Sequence, residues 1–215
     1  MDSALLSSAY LAPVQYYTKL YQAPRVIIDG GEHYEKQTFR NRCRIAGADG
    51  AQTLTLPVEK TDGRKVAMRD IRLSDHGGWP RQHWQALRSA YEHTPFFDYY
   101  ADDFLPFYTK PFRFLWDFNE GLRQTVCDLL DIRPALTLSE AYVREVPDGY
   151  SDFRRLISPK YRGEADPGFR PAAYYQVFGQ RHGFLPNLSV AALLFNMGPE
   201  SGIILRDSSV TPISS

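Results

Sequence analysis

Three cations recur at even-numbered positions in the segment HYEKQTFRNRCRIAGADGAQTLTLPVEK: Lys36, Arg40 and Arg42, with Thr38 between them and Arg44 beyond. Alternate residues of an extended strand share one face, and positions two apart on it lie about 7 Å from each other. Three cations so arranged repel one another unless carboxylates or an anionic ligand meet them. Phosphate or carboxylate would satisfy them, arginine through its planar bidentate fork and lysine as a point charge. The same row also suits a solvated face, with Glu32, Glu35 and Asp49 close by in the chain, because antiparallel sheets commonly turn one face to water.

His83 is the best general-base candidate among the five histidines, since imidazole titrates near neutrality. It precedes Leu87 by one helical turn, beside the apolar stripe of Trp84, Leu87 and Tyr91, where a half-buried structural histidine is the competing reading. Cys43 falls on the apolar side of its segment with Phe39 and Ile45, which suits a core thiol better than a nucleophile. Ser189 lacks the flanking glycines of a nucleophile elbow and reads as a helix cap. Histidine spacing matches no HExxH or Cys-His metal motif, and neither a GxGxxG nor a P-loop signature occurs, so no metal and no cofactor are expected.

The elements that must position these residues follow from periodicity and punctuation. A short apolar strand over Leu5 to Tyr10 precedes a helix opened by Pro13 and ended by Pro24. Val26 to Ile28 is a continuous β-branched run ended by Asp29-Gly30-Gly31, which puts Asp29 at a strand end. Alternation over Tyr34 to Ile45 and Gln52 to Val58, with turn residues at 47–50, predicts a hairpin, and Val66 to Leu73 a third extended segment. Trp79-Pro80 opens a helix that ends near Thr94-Pro95. The aromatic block Phe96 to Phe118 suggests short helices broken at Pro106 and Pro111. Leu115, Phe118, Leu122, Val126 and Leu129 mark the longest amphipathic helix. Leu136 to Val143 reads as a strand, 147–171 as a mobile flap, Tyr174 to Phe178 as a short strand, and Pro186 to Asn196 as a helix. Together these predict one α+β domain over residues 1–207, with a mixed, mostly antiparallel sheet, helices packed on it, and a disordered polar tail at 208–215.

The chain of 215 residues carries 25 basic and 25 acidic side chains, so no bulk basic field points to nucleic acid as a partner. Two cysteines do not make a disulfide framework, the N-terminus has an acid where a signal peptide carries positive charge, and no apolar run reaches the length of a membrane span. A cytoplasmic location and no membrane span are therefore expected.

YLAPVQYY, the long segment from His33 to Lys60, WPRQHWQALRSAYEHTPFF and YYQVFGQRHGFLPNLSVAALLFNMGPES resemble successive blocks of the WbqC-like protein family, in the form found in Bacteroidetes-type bacteria. The resemblance covers nearly the whole chain. It implies a role in surface-polysaccharide (O-antigen) biosynthesis and a transferase that moves glycine or another acyl group onto a sugar. Family positions fall on Lys36, Asn41 with Arg42, Trp79 with His83, Tyr175 with Gln176, and Asn187 to Ser189. Two positions depart from the family pattern: Ser8-Ala9 stands where Gln-Pro is usual, and Ala192 where an Asp is usual. On this basis Lys36, Arg40, Arg42, Trp79, Gln176 and Asn187 would bind an anionic small molecule or sugar nucleotide. His83 would act as base, with Asn41 or Tyr175 orienting the acyl oxygen. A non-catalytic protein binding an anionic glycan or a partner enzyme of the same pathway is the rival expectation.

Overall fold

The computed structural model describes residues 2–160, 163 and 165–210. Strand β1 (Ser3–Ser7), helix α1 (Val14–Gln22) and strand β2 (Val26–Asp29) form a strand-helix-strand unit whose strands pair in parallel, Ser7 opposite Asp29. Strand β5 (Leu136–Ser139) adds in parallel to β2, and β6 (Tyr150–Asp152) in parallel to β1, giving the order β5-β2-β1-β6. The expected mostly antiparallel sheet is thus corrected to a wholly parallel main sheet. Among the named strands the antiparallel pair is a separate hairpin of β3 (Arg42–Gly47) and β4 (Gly50–Thr55), and the other antiparallel pairings are isolated bridges.

The cause lies in burial. Strands β1 and β2 are buried at almost every position, which suits parallel strands covered on both faces rather than half-solvated antiparallel ones. Parallel neighbours also need a crossover, and α1 supplies it. The continuous run Val26 to Ile28 already carried this signal.

A second correction concerns the cationic row. Residues 36–41 are successive turns and β3 starts only at Arg42; Gln37 takes φ 62 within those turns. Strand alternation therefore does not reach Lys36 and Arg40, and the four cations differ in surroundings. Arg40 is buried, Arg42 half-buried, Lys36 and Arg44 exposed.

Helix α2 (Trp79–Tyr91) carries Pro80 in its first turn, as expected. The aromatic block is not broken at Pro106, which lies inside α3 (Phe97–Thr109), but it is broken around Pro111, and its last residues begin the next helix. Phe97 and Phe104 tie α3 to Phe195, at ring-centroid distances of 5.0 and 5.2 Å. Helix α4 (Leu115–Leu129) follows. After the short α5 (Gly179–His182), α6 (Val190–Met197) is capped by Ser189, whose hydroxyl accepts from the Ala191 N–H, and α7 (Ser201–Asp207) follows. One apolar cluster runs from Ala4 to Leu205.

Residues 66–73 hold a 3-10 turn at Met68–Asp70 and isolated bridges instead of a strand. Tyr174 to Phe178 joins no strand ladder. Segment 147–171 includes β6 and the buried Arg154, while 161, 162 and 164 lie outside the described residues. Of the polar tail, Ser208 is buried and its carbonyl accepts from the Arg170 N–H at 2.9 Å; residues 211–215 lie outside the described residues. No helix among the described residues is long and apolar enough to cross a membrane.

Candidate functional site

The chain runs from β1 to β2 to β5 in one direction and then returns to β6 on the other side of β1. Open parallel sheets bind ligands beyond their strand carboxyl ends, in the crevice where strand order reverses. Here that point lies between β1 and β6. Ser7, Asp29 and Ser139 end their strands in one register row, and Asp152 ends β6.

Two buried arginines converge there. Arg154 donates from Nη1 to Asp29 Oδ2 at 2.6 Å, from Nη2 to Asp152 Oδ2 at 2.7 Å, and from Nη1 to the Val143 carbonyl at 2.8 Å. Arg40 grips Glu32 with a bidentate fork, Nε to Oε1 at 2.9 Å and Nη2 to Oε2 at 2.5 Å, while Nη2 also reaches Ser7 Oγ at 2.9 Å. Asp29 is fully buried and accepts three backbone N–H groups, from Gly31, Glu32 and Val143. Burial pushes the Glu32 carboxyl up despite Arg40. Burial also acts to raise Asp152, but its hydrogen bonds from Arg154 outweigh that and hold the carboxyl below its ordinary value.

Behind the crevice lie a Glu120–Arg123 pair at 2.7 Å on α4 and a Lys19–Asp166 pair at 2.7 Å with both side chains at most 2% exposed. Buried ion pairs contribute little net stability compared with apolar packing.

In front, an open cleft of 450 Å³ is lined by Glu35, Arg154, Arg155, Ser158 and Lys160. The Lys160 ammonium donates to the Lys36 carbonyl at 2.5 Å and meets Glu35 at 3.3 Å. Lys36 therefore stands at the rim of this cleft. Its lining carries three cations and one carboxylate. The loop entering α1 is strained: buried Leu11 takes φ 37, a conformation that costs a non-glycine residue roughly 1–3 kcal/mol and clusters at functional sites.

The sequence-predicted residues divide among several places. Lys36 and Arg40 belong to the crevice. Asn41 is buried and ties β3 to β4 through Nδ2 and the Leu56 carbonyl at 3.0 Å. Arg42 keeps a buried Nε without a hydrogen-bond partner. His83 and Trp79 sit in an aromatic cluster: Tyr10 Oη is 2.9 Å from His83 Nδ1, and the Trp79 ring meets His83 edge-on at 5.4 Å. Burial lowers the His83 pKa to about 4, although a hydrogen bond with the Thr55 backbone works against that shift. Gln176 clamps Leu185, and Asn187 Oδ1 accepts from the Gln15 N–H at 2.9 Å, capping α1 from the far end of the chain. Tyr175 is 56% exposed.

Asp29, Glu32, Asp152 and Arg154 were not singled out from sequence. Asp29-Gly30-Gly31 at the end of an apolar strand was the available signal for the first. Arg154 and Asp152 lay hidden in a segment read as a flap, because the three-residue β6 is too short to show a period.

The WbqC-like protein family model matches residues 8–158, a stretch that includes all four of these residues and Arg40. The uncharacterized protein Rv1507c of Mycobacterium tuberculosis (strain ATCC 25618 / H37Rv) is 28% identical over 231 residues, covering 94% of this chain and 96% of the relative. No solved structure matches the chain. With the family model spanning well over half of the chain, from the residue after β1 through β6, the chain belongs to the WbqC-like protein family.

Proposed function

We propose that the chain is a transferase of bacterial surface-polysaccharide assembly, of the O-antigen type, which holds an anionic sugar-linked substrate at the β1–β6 crevice and moves a glycyl or similar acyl group onto a sugar. The pathway and the transferred group rest on the family resemblance. The observation that carries the site is the cationic rim of Arg154, Arg155 and Lys160 at the point of strand reversal. Arg154 and Arg40 are held by internal carboxylates, so they form a rigid floor. Arg155 and Lys160 are exposed and can turn toward phosphate or carboxylate, with Lys36 beside them.

In this reading His83 is a positioning residue: its bond to Tyr10 fixes the loop between β1 and α1. Trp79, Asn41, Gln176 and Asn187 act likewise through the contacts already described. Arg42 keeps its Nε buried and unpartnered beneath the surface, and the exposed Tyr175 remains available to substrate. A second reading, non-catalytic recognition of an anionic glycan precursor, is favoured by one observation. The His83 imidazole is engaged by Tyr10 and by the Thr55 backbone and stays neutral at pH 7.

The test is binding and transfer with nucleotide sugars and glycyl donors, on the wild type and on an Arg155→Ala/Lys160→Ala variant. Loss of both binding and transfer in the variant supports the transferase. Binding without turnover of any donor favours the second reading. Wild-type protein that binds no anionic sugar overturns both.

A further inference from the structure

The loop leaving β5 crosses the carboxyl end of β2 and holds an aromatic ring in the open. Tyr142 is 50% exposed and stacks with the exposed His33, ring centroids 6.3 Å apart and planes 10° from parallel. The loop is tied down beneath. The Val143 N–H donates to Asp29 Oδ2 at 3.1 Å, and the Val143 carbonyl accepts from Arg154. Gly31 admits the loop only because it has no side chain, since a Cβ there would overlap the Tyr142 backbone nitrogen and the Ala141 carbonyl carbon. An exposed ring held this firmly gains nothing from core packing. The Arg154 guanidinium lies 5.2 Å from the Tyr142 ring centroid and also lines the cationic cleft, so ring and cleft share one wall.

We propose that Tyr142 and His33 are the stacking platform for the base of a nucleoside diphosphate-linked sugar whose phosphates lie on Arg155 and Lys160. This rests on the anion-binding reading of the crevice and adds the part of the ligand that phosphate contacts do not recognise. Geometry supports the pairing of the two regions. Arg154 lies against the Tyr142 ring and lines the cleft together with Arg155 and Lys160, so one ligand can touch ring and cations at once. Aromatic rings bind bases through their π-faces with little sequence preference, so the platform sets the class of ligand rather than the particular base.

Calorimetric titration of the full chain with UDP, with GDP, and with glucose 1-phosphate as a base-free control tests this. The variants are Tyr142→Ala, Tyr142→Phe, His33→Ala and Arg155→Ala/Lys160→Ala, each checked for an unchanged melting temperature. Expected is a loss of roughly 10- to 100-fold in affinity for UDP or GDP in Tyr142→Ala, a smaller loss in His33→Ala, retention in Tyr142→Phe, and no change for glucose 1-phosphate. An unchanged nucleotide affinity in Tyr142→Ala overturns the platform. So does an equal loss for glucose 1-phosphate, because the ring would then act only by holding Arg154. If wild type binds glucose 1-phosphate but neither nucleotide, the platform fails and the anionic crevice stands. If it binds none of the three, both fail.

Discussion

Replacing Arg154 by alanine is the most informative single perturbation of this fold. Arg154 neutralises Asp29, which is fully buried, and Asp152, which faces solvent. Leaving one partner of a buried ion pair uncompensated costs about 3–5 kcal/mol. The lower part of that range applies, because Asp29 keeps its three backbone N–H donors after the guanidinium is gone. The Asp152 contact, being exposed, adds no more than about 1 kcal/mol. The expected destabilisation is therefore about 3–4 kcal/mol, which for a chain of this size lowers the melting temperature by roughly 6–16 °C. Urea unfolding of wild type, Arg154→Ala, Asp29→Asn and the double variant would measure it. With the carboxylate charge removed as well, the double variant should recover much of the loss, and the cycle isolates the coupling. A single-variant loss below about 1 kcal/mol, or a double variant no more stable than Arg154→Ala, would refute the idea that Asp29 is a charge the fold must neutralise.

Three further outcomes follow from the same geometry. Gly31→Ala must displace the backbone at Ala141–Tyr142 and should cost about 1–3 kcal/mol or more in urea unfolding, with nucleotide affinity falling alongside. Because the folded His83 pKa is lowered to about 4, below the unfolded value near 6.5, its contribution is complete above pH 6.5 and is lost as pH falls toward 4. Stability should decline across that window by up to about 3 kcal/mol, and His83→Gln should flatten that limb in unfolding curves taken at several pH values. Burial raises both thiols, Cys127 to about 11, so neither should react promptly with a disulfide reagent at pH 7.5, while both react once urea unfolds the chain; rapid labelling of the native protein would contradict the packing.

Much of the fold was legible where local signals were strong. Pro80 in the first turn of α2, the Leu115 to Leu129 stripe and the Ser189 cap all appear where spacing and turn chemistry put them. The sheet was misread because β1, β5 and β6 are only three to five residues long, and strand direction is set by long-range partners rather than by local pattern. The cationic alternation was an accident of spacing: turns at 36–41 fold the same residues so that Arg40 goes inward and Lys36 outward. Lys36 and Arg40 still lie near the strand-end crevice, since charge type survives a wrong backbone. Arg154 could not, because its importance comes from Asp29, 125 positions earlier.

One consequence reaches beyond the folded state. Lys19 is buried against Asp166, and α1 is capped by Asn187, a residue 172 positions downstream of Gln15. During synthesis the first strand-helix-strand unit leaves the ribosome long before either partner exists. Until then Lys19 would be an ammonium with no counter-ion in its apolar berth, so α1 has reason to stay undocked. Nascent chains stopped before Asp166 should therefore keep their first strand-helix-strand unit open to protease, and the arrival of Asp166 and Asn187 decides when the first strands close.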